Sequence, residues 1–220
     1  MFPDDIGLAV PAPGAPHVDI CPPSLQDKDF LATADRIALR PVPYSTPSGW
    51  TAPSGSRPLV YLTLGTAFGT AELLTTAIRG LTTLGVRVVV ATGRVPVKEL
   101  GDLPDGVTAE AWVPQADLLP HVSLVVHHGG SGTTLGALAV GAPQLLLPQG
   151  ADQFANADAV TAAGAGLSLA PVDVTADAVA DQVLSLLGHA GHREAARAVA
   201  EEIALMPSPD EVARALPDHV

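Results

Sequence analysis

A chain of 220 residues with 23 acidic against 11 basic side chains, and a formal net charge of −12, is poorly suited to nucleic acid or an anionic membrane surface. Its residues are 47% apolar but only 4% aromatic, so the core must be filled by Val, Leu and Ala, which suits thin, repetitive layers. The apolar runs Leu59–Leu64 and Leu145–Leu147 fall far short of the roughly 20 residues of a spanning helix, and Cys21, the only cysteine, leaves no internal disulfide or thiolate metal cluster.

No secretory leader pattern is evident, and a cytoplasmic protein is expected. Residues 1–57 hold ten of the 21 prolines, among them Cys21-Pro22-Pro23, Pro41-Val42-Pro43 and the run 45–49. Proline at that density opposes regular helix and central strands. The region reads as an extended arm or interdomain linker, with short extended pieces at Val18–Ile20 and Ile37–Pro41. A disordered tail is the alternative, against which stand Ile20, Leu25, Phe30, Leu39, Tyr44 and Trp50.

A different pattern begins at Pro58. Buried-strand runs are predicted at Leu59–Leu64, Val86–Ala91, Val107–Ala111, Leu124–His127, Gln144–Leu147 and Gly166–Leu169. Helices are predicted at Ala71–Leu84, Thr133–Val140, Ala151–Ala163, Thr175–Leu187 and His192–Leu205, with a brief helix or turn at Asp117–Leu119. Short strands alternating with helices imply an α/β, Rossmann-like, doubly wound parallel sheet over 58–206, with a tail at 207–220. A ligand is expected beyond the carboxyl ends of its strands.

The densest chemical feature is His127-His128-Gly129-Gly130-Ser131-Gly132-Thr133-Thr134, a strand-to-helix turn. Its glycines permit positive φ and close backbone approach. The helix start offers unpaired N–H groups and the positive end of a dipole. Ser131, Thr133 and Thr134 add hydroxyls, and His128 adds a ring N–H whose pKa a phosphate would raise. No Lys or Arg occurs between Lys98 and Arg193, so an anion bound by this stretch is held without a cation from it. The turn is neither a Walker loop nor the dinucleotide G-x-G-x-x-G. The bland alternative is a tight turn needed for helix–sheet packing. A metal site is not expected, because adjacent strand residues point to opposite faces and no third ligand stands at a usual spacing.

Upstream, Trp112-Val113-Pro114-Gln115 offers a rigid aromatic platform and an amide for ribose hydroxyls; the alternative for Trp112 is a core residue. Downstream, Gln149-Gly150-Ala151-Asp152-Gln153 opens a helix. Asp152 and Gln153 suit sugar hydroxyls, and Asp152 alternatively belongs to a helix first turn.

Together Trp112-Val-Pro-Gln115, His128-Gly-Gly-Ser-Gly-Thr133 and Asp152-Gln153-Phe-Ala-Asn156 resemble the signature region of GT-B, UGT-type glycosyltransferases, particularly the actinobacterial macrolide and aglycone enzymes. The resemblance covers about Leu59–Leu205 and extends to Val18–Tyr44, similar to the run joining the two halves of such enzymes. It implies a nucleotide-sugar donor, UDP- or dTDP-linked, as substrate and no further cofactor. It also implies that Trp112 stacks on the base with Val113 beside it and that Gln115 lies by the ribose. His128 with Gly130, Ser131, Gly132 and Thr133 would meet the pyrophosphate, Asp152 and Gln153 the sugar, and Gly65-Thr66 would face the nucleotide. Gly136 stands where plant relatives carry a ribose-binding Glu, which leaves the nucleotide preference open.

The resemblance further implies an N-terminal acceptor domain bearing the aglycone pocket and a general-base His paired with an Asp. Nothing in this chain fills that place: His17, His121, His189, His192 and His219 have no clear acidic partner in the sequence. A chain opening on the arm at Met1 is expected to be a truncated frame, an isolated domain or a separate subunit. The expected function is the donor half of an inverting transfer to a small natural-product aglycone, with the acceptor domain or a partner subunit completing it. A nucleotide-sugar-binding module without catalysis is the alternative. A related epimerase or hydrolase is weaker, since it needs acid–base carboxylates beyond Asp152.

Overall fold

A computed structural model describes residues 16–43 and 49–216. Tyr44, residues 45–48 and His219, all singled out in the sequence, lie outside the described residues. The N-terminal part contains β1 (His17–Asp19), α1 (Lys28–Thr33) and β2 (Arg36–Ala38). There follow β3 (Leu59–Thr63), α2 (Ala71–Thr82), β4 (Arg87–Ala91), β5 (Val107–Glu110), α3 (Gln115–Leu118), β6 (Leu124–His127) and α4 (Ser131–Ala139). The chain continues through β7 (Gln144–Leu146), α5 (Gln153–Ala162), β8 (Gly166–Ser168), α6 (Ala176–Gly188), α7 (Ala190–Leu205) and α8 (Pro209–Ala215).

The expected doubly wound sheet is present. Six strands run in the order β5-β4-β3-β6-β7-β8, and every pairing is parallel. The order reverses between β3 and β6, whose register places Thr63 opposite His127. Ligands of open α/β sheets bind in the crevice at such a reversal, outside the strands' carboxyl ends.

Strand alternation divides the core between the two faces. Leu62, Val90, Val126 and Leu145 point to one face, against Leu74, Ile78 and Leu81 of α2 and Val179 and Val183 of α6. Tyr61, Val89 and Val125 point to the other, near Val113, Leu118 and Leu119. A neighbouring cluster joins Leu146 to Ala157 and Val160 of α5 and to Ala196, Val199 and Ile203 of α7. Each fully buried Leu or Val contributes roughly 1.5–3 kcal/mol by leaving water. Thr70 and Thr175 cap α2 and α6, accepting from the N–H groups of Leu73 and Ala178.

Several boundaries differ from expectation for local reasons. Helix α4 begins at Ser131, with Gly130 as its N-cap residue, rather than at Thr133. Helix α5 begins at Gln153 rather than Ala151, because Ala151 takes φ of 55°, a left-handed conformation that cannot continue a helix. The N-terminal region is not extended throughout. The proline-free stretch after Pro23 forms α1, whose N-cap Asp27 accepts from Phe30 N–H.

This region is docked rather than loose. β1 and β2 pair in parallel. Arg36 Nε donates to Asp19 Oδ2 at 2.7 Å, Ser24 N–H donates to Glu202 on α7, and Leu25 and Ala38 pack against the α5–α7 cluster. Beyond Met206, the expected tail carries α8, started by a capping box in which Ser208 and Glu211 hydrogen-bond reciprocally.

Candidate functional site

The turn after β6 sits at the reversal of strand order, and its two histidines diverge as strand alternation requires. His127 is fully buried, pointing between β7 and α4. Its Nδ1 accepts the Gly129 N–H at 3.1 Å, which puts the ring proton on Nε2, 2.7 Å from Gln144 Oε1. Gln144 in turn donates to the Thr134 carbonyl at 3.3 Å. Burial, the largest influence, pushes the His127 pKa down to about 3 against the favourable contact with Gln144. This neutral ring holds the shape of the turn. It is inaccessible to a ligand.

His128 is half-buried on the opposite side, between the turns after β3 and β6. A Cβ at Gly65 would lie 2.6 Å from its ring, and one at Gly130 would lie 2.5 Å from it. Both positions must be glycine for the imidazole to occupy the crevice, and Gly65 also takes φ of 69°. Burial lowers the His128 pKa, opposed by the Thr63 carbonyl and the charge of Asp152. Its Nδ1 is buried and makes no well-formed hydrogen bond, the Thr63 carbonyl included.

Gly130 offers no side-chain cap, so the N–H groups of Ser131, Gly132 and Thr133 open α4 uncapped by any side chain; the first intrahelical bond runs from Thr134 N–H to the Gly130 carbonyl. These donors and the helix dipole favour an anion beside His128.

Asp152 stands at the N-cap position of α5 but makes no capping hydrogen bond. Its Oδ2 instead accepts from Ser131 Oγ at 2.9 Å and from Asn156 Nδ2 at 3.3 Å. Asn156 also donates to the Gly129 carbonyl at 2.8 Å, tying the two turns together. The Ser131 hydroxyl proton is thus directed to Asp152, which leaves its backbone N–H as the donor at the open start of α4. Gln153 is buried, and its Oε1 accepts from Gln149 N–H at 2.8 Å, bracing the loop after β7. Gly129, at φ of 91°, would place a Cβ 2.9 Å from the Gln153 carbonyl, so close packing of the two turns also demands glycine there.

Trp112 is 55% exposed, which removes the core alternative for it. The Val113 side chain is buried, so backbone is what it can present to a ligand. Gln115 Nε2 lies 3.2 Å from both Tyr61 Oη and Thr133 Oγ1. All four of Trp112, Val113, Gln115 and Thr133 line a cavity of about 480 Å³, together with Gly132, Leu135 and Gly136. Gly136 keeps that wall open, and a Cβ there would meet only Leu119, at 3.0 Å. Thr66 is exposed beyond Gly65.

The structure therefore gathers the motifs at one sheet end, and it adds residues that sequence reasoning missed. Tyr61 is the lone aromatic in an aliphatic strand run, a signal that marks it in retrospect. His127 with Gln144 forms a buried polar pair that no spacing rule reveals. The cavity also includes Arg40 from the N-terminal region. The stretch between Lys98 and Arg193 itself lacks Lys and Arg, but Arg40, from a distant segment, borders the same cavity.

Among the described residues, no group of three or more His, Cys, Asp or Glu is placed to hold a metal ion, and no helix is long and apolar enough to cross a membrane.

Residues 76–218 match the family described as "Erythromycin biosynthesis protein CIII-like, C-terminal domain". The chain is 42% identical to the L-demethylnoviosyl transferase of Streptomyces niveus, over 96% of this chain and 57% of that protein. It is 37% identical to the elloramycin glycosyltransferase ElmGT of Streptomyces olivaceus, over 94% of this chain and 53% of that protein. Among solved structures, the spinosyn rhamnosyltransferase SpnG complexed with thymidine diphosphate superposes with a TM-score of 0.77 at 34% identity, covering 91% of this chain and 56% of that one. The chain thus spans little more than half the length of the relatives it matches. With the fold and more than half of its residues matching, the chain belongs to the family of erythromycin biosynthesis protein CIII-like glycosyltransferases, corresponding to their C-terminal domain.

Proposed function

We propose that this chain is the donor-binding half of a cytoplasmic glycosyltransferase, residues 58–206 forming the nucleotide-sugar unit with the N-terminal arm docked on it. The reaction moves a sugar from a nucleoside-diphosphate sugar to a hydroxyl of a small natural-product aglycone. The observation that carries this reading is the His128 ring seated between Gly65 and Gly130, beside the open N-terminus of α4. A diphosphate placed there meets the imidazole and the N–H groups of Ser131, Gly132 and Thr133. The relatives' names, a demethylnoviosyl transferase and an elloramycin glycosyltransferase, support the substrate class, and the thymidine diphosphate bound to SpnG supports a nucleoside diphosphate as donor fragment.

In the proposed transfer, the acceptor hydroxyl oxygen bonds to the anomeric carbon from the face opposite the leaving group, and that carbon is inverted. The bond from the anomeric carbon to the β-phosphate oxygen breaks, and its electron pair leaves with the diphosphate. The acceptor proton passes to a general base supplied by an acceptor domain or partner subunit. Residues of this chain act on the departing charge. Each charge-assisted hydrogen bond contributes on the order of 1.5–3 kcal/mol, so a few donors aimed at the leaving oxygens lower the barrier substantially. Asp152, with the loop braced by Gln153, orients the sugar hydroxyls.

Calorimetric titration of dTDP, UDP and their sugars tests this reading. The chain is expected to bind a nucleoside diphosphate alone and to transfer sugar only when an acceptor domain is supplied. Failure to bind either diphosphate would sink the reading. Binding without transfer in the presence of a competent acceptor domain would leave a binding module in its place.

A further inference from the structure

The cavity beside Trp112 is lined by residues 39–43 of the arm and by Trp112, Gln115 and Thr133. Tyr61 stands behind that lining, only 1% exposed, in a strand whose other apolar residues are all aliphatic. It packs in the cluster of Val89, Val125 and Leu118. A Phe would fill the same volume there, whereas a buried Tyr brings a hydroxyl that needs a partner.

That partner is the Gln115 side chain. Its Nε2 lies 3.2 Å from Tyr61 Oη and 3.2 Å from Thr133 Oγ1. Burial pushes the Tyr61 pKa up, so the phenol is neutral where it meets the amide. The two contacts occupy both N–H bonds of that amide and fix its plane. Gln115 begins the short helix α3 directly after Pro114, where a long, half-buried side chain otherwise samples several rotamers. With its nitrogen held, Oε1 is the atom the amide offers to the cavity, and it is an acceptor.

A diphosphate has no proton to give such an acceptor at neutral pH, but a ribose has hydroxyls. Gln115 also joins the two ends of the site. It lies three residues from Trp112, and its amide bonds Thr133, whose backbone N–H belongs to the open start of α4. With a base on Trp112 and a diphosphate at the turn, the ribose between them falls to Gln115.

We infer that Tyr61 is a positioning residue for the nucleotide: with Thr133, its phenol holds the Gln115 amide so that Oε1 accepts from a ribose hydroxyl. The inference rests on the nucleotide-sugar reading of the site. It gives a core residue of β3 a part in donor recognition without any contact of its own with the ligand.

The test is the calorimetric affinity of the whole chain for dTDP or UDP, whichever it binds, and for the 2′,3′-dideoxy form of that nucleotide. It compares the native protein with Tyr61→Phe, Gln115→Ala and the double variant. Tyr61→Phe is expected to weaken nucleotide binding on the order of fivefold, and to add little in the Gln115→Ala background. Its effect is also expected to shrink for the ligand without ribose hydroxyls. Native affinity in Tyr61→Phe overturns the positioning role. So does a loss that is equal with and without Gln115, or equal for both ligands, because an effect through the fold alone behaves that way. If Tyr61→Phe does not fold, NMR of the Gln115 side-chain amide in the native protein decides. A distinct, slowly exchanging proton pair that shifts on nucleotide binding supports the role, and the averaged signals of a freely rotating Gln overturn it. These adverse outcomes leave the donor site standing. Absence of binding of either diphosphate by the native chain overturns the donor site, and this inference with it.

Discussion

The turn after β6 and the wall formed by residues 39–43 border the same cleft, yet they are built in opposite ways. The turn is one continuous stretch whose chemistry is set by backbone: glycines at 129 and 130, an open helix start, and a buried His127 that fixes its shape. The wall is assembled from separate parts of the chain, with the arm hydrogen-bonded to Asp19 and Pro207 and bordered by Pro209. A site made by local backbone geometry tolerates little change, because neighbouring turns pack against it. One made by docking a segment is adjustable, since side chains there can change without disturbing the sheet. On the proposed function, the turn is the fixed side of the cleft and the arm wall its adjustable side.

The strongest way to break this comparison is at Gly129. A Cβ there combines φ of 91° with a 2.9 Å approach to the Gln153 carbonyl, so Gly129→Ala is expected to cost about 3 kcal/mol and to abolish diphosphate binding. Chemical denaturation and calorimetry on the same sample check both effects. A stable variant that still binds would show that the turn is not set by close packing.

Acid is expected to act through His127. The unfolded chain takes up a proton below the ordinary value of 6.5, whereas the folded ring remains neutral until about pH 3. Between those values the unfolded state holds more protons, so stability falls as pH falls, by about 2 kcal/mol on reaching about pH 5. Urea denaturation at about pH 7 and about pH 5 measures this, and the slope should be much reduced in His127→Gln, leaving the part that burial of His128 contributes. An equal slope in that variant would move the effect to another group.

At the proposed diphosphate position, burial lowers the His128 pKa, and a bound anion would raise it. Affinity for dTDP is therefore expected to strengthen as pH falls from about 8 to about 6. His128→Gln should weaken binding about tenfold, about 1.4 kcal/mol, and flatten that dependence. In a two-domain enzyme the same substitution should lower turnover sharply, and unchanged turnover would remove His128 from the leaving-group role.

The smallest effect is expected at the edge of the arm wall. Ser208→Ala removes the α8 cap beside Pro209 and should cost about 1 kcal/mol of stability, with only a few-fold change in nucleotide affinity. A large loss of affinity instead would make α8 part of the site rather than its support.

Much of the fold was legible because its signals are local. Aliphatic runs ending in glycine or threonine marked the strands, 3.6-residue periodicity marked the helices, and Thr70 and Thr175 occupy caps whose chemistry needs only nearby N–H groups. The motif residues were legible for the same reason, each standing at a strand end. Side-chain roles were less so. Asp152 reads as a capping residue or sugar ligand, and its hydrogen bonds to Ser131 and Asn156 follow only from the meeting of two turns. Trp112 taken alone reads as a core residue sooner than as a platform, and its exposure decides for the platform.

The sequence by itself determined the alternation of strands and helices, and with it a parallel sheet whose strand ends carry Gly65, Trp112, His128 and Asp152. Only the tertiary structure decided that the His128 ring lies between Gly65 and Gly130, that His127 turns inward to Gln144, and that Arg40 reaches the cavity beside Trp112. The physical reason is separation along the chain. Periodicity, caps and turns act over a few residues, whereas these contacts join segments that meet only when the sheet is wound and the arm is docked against it.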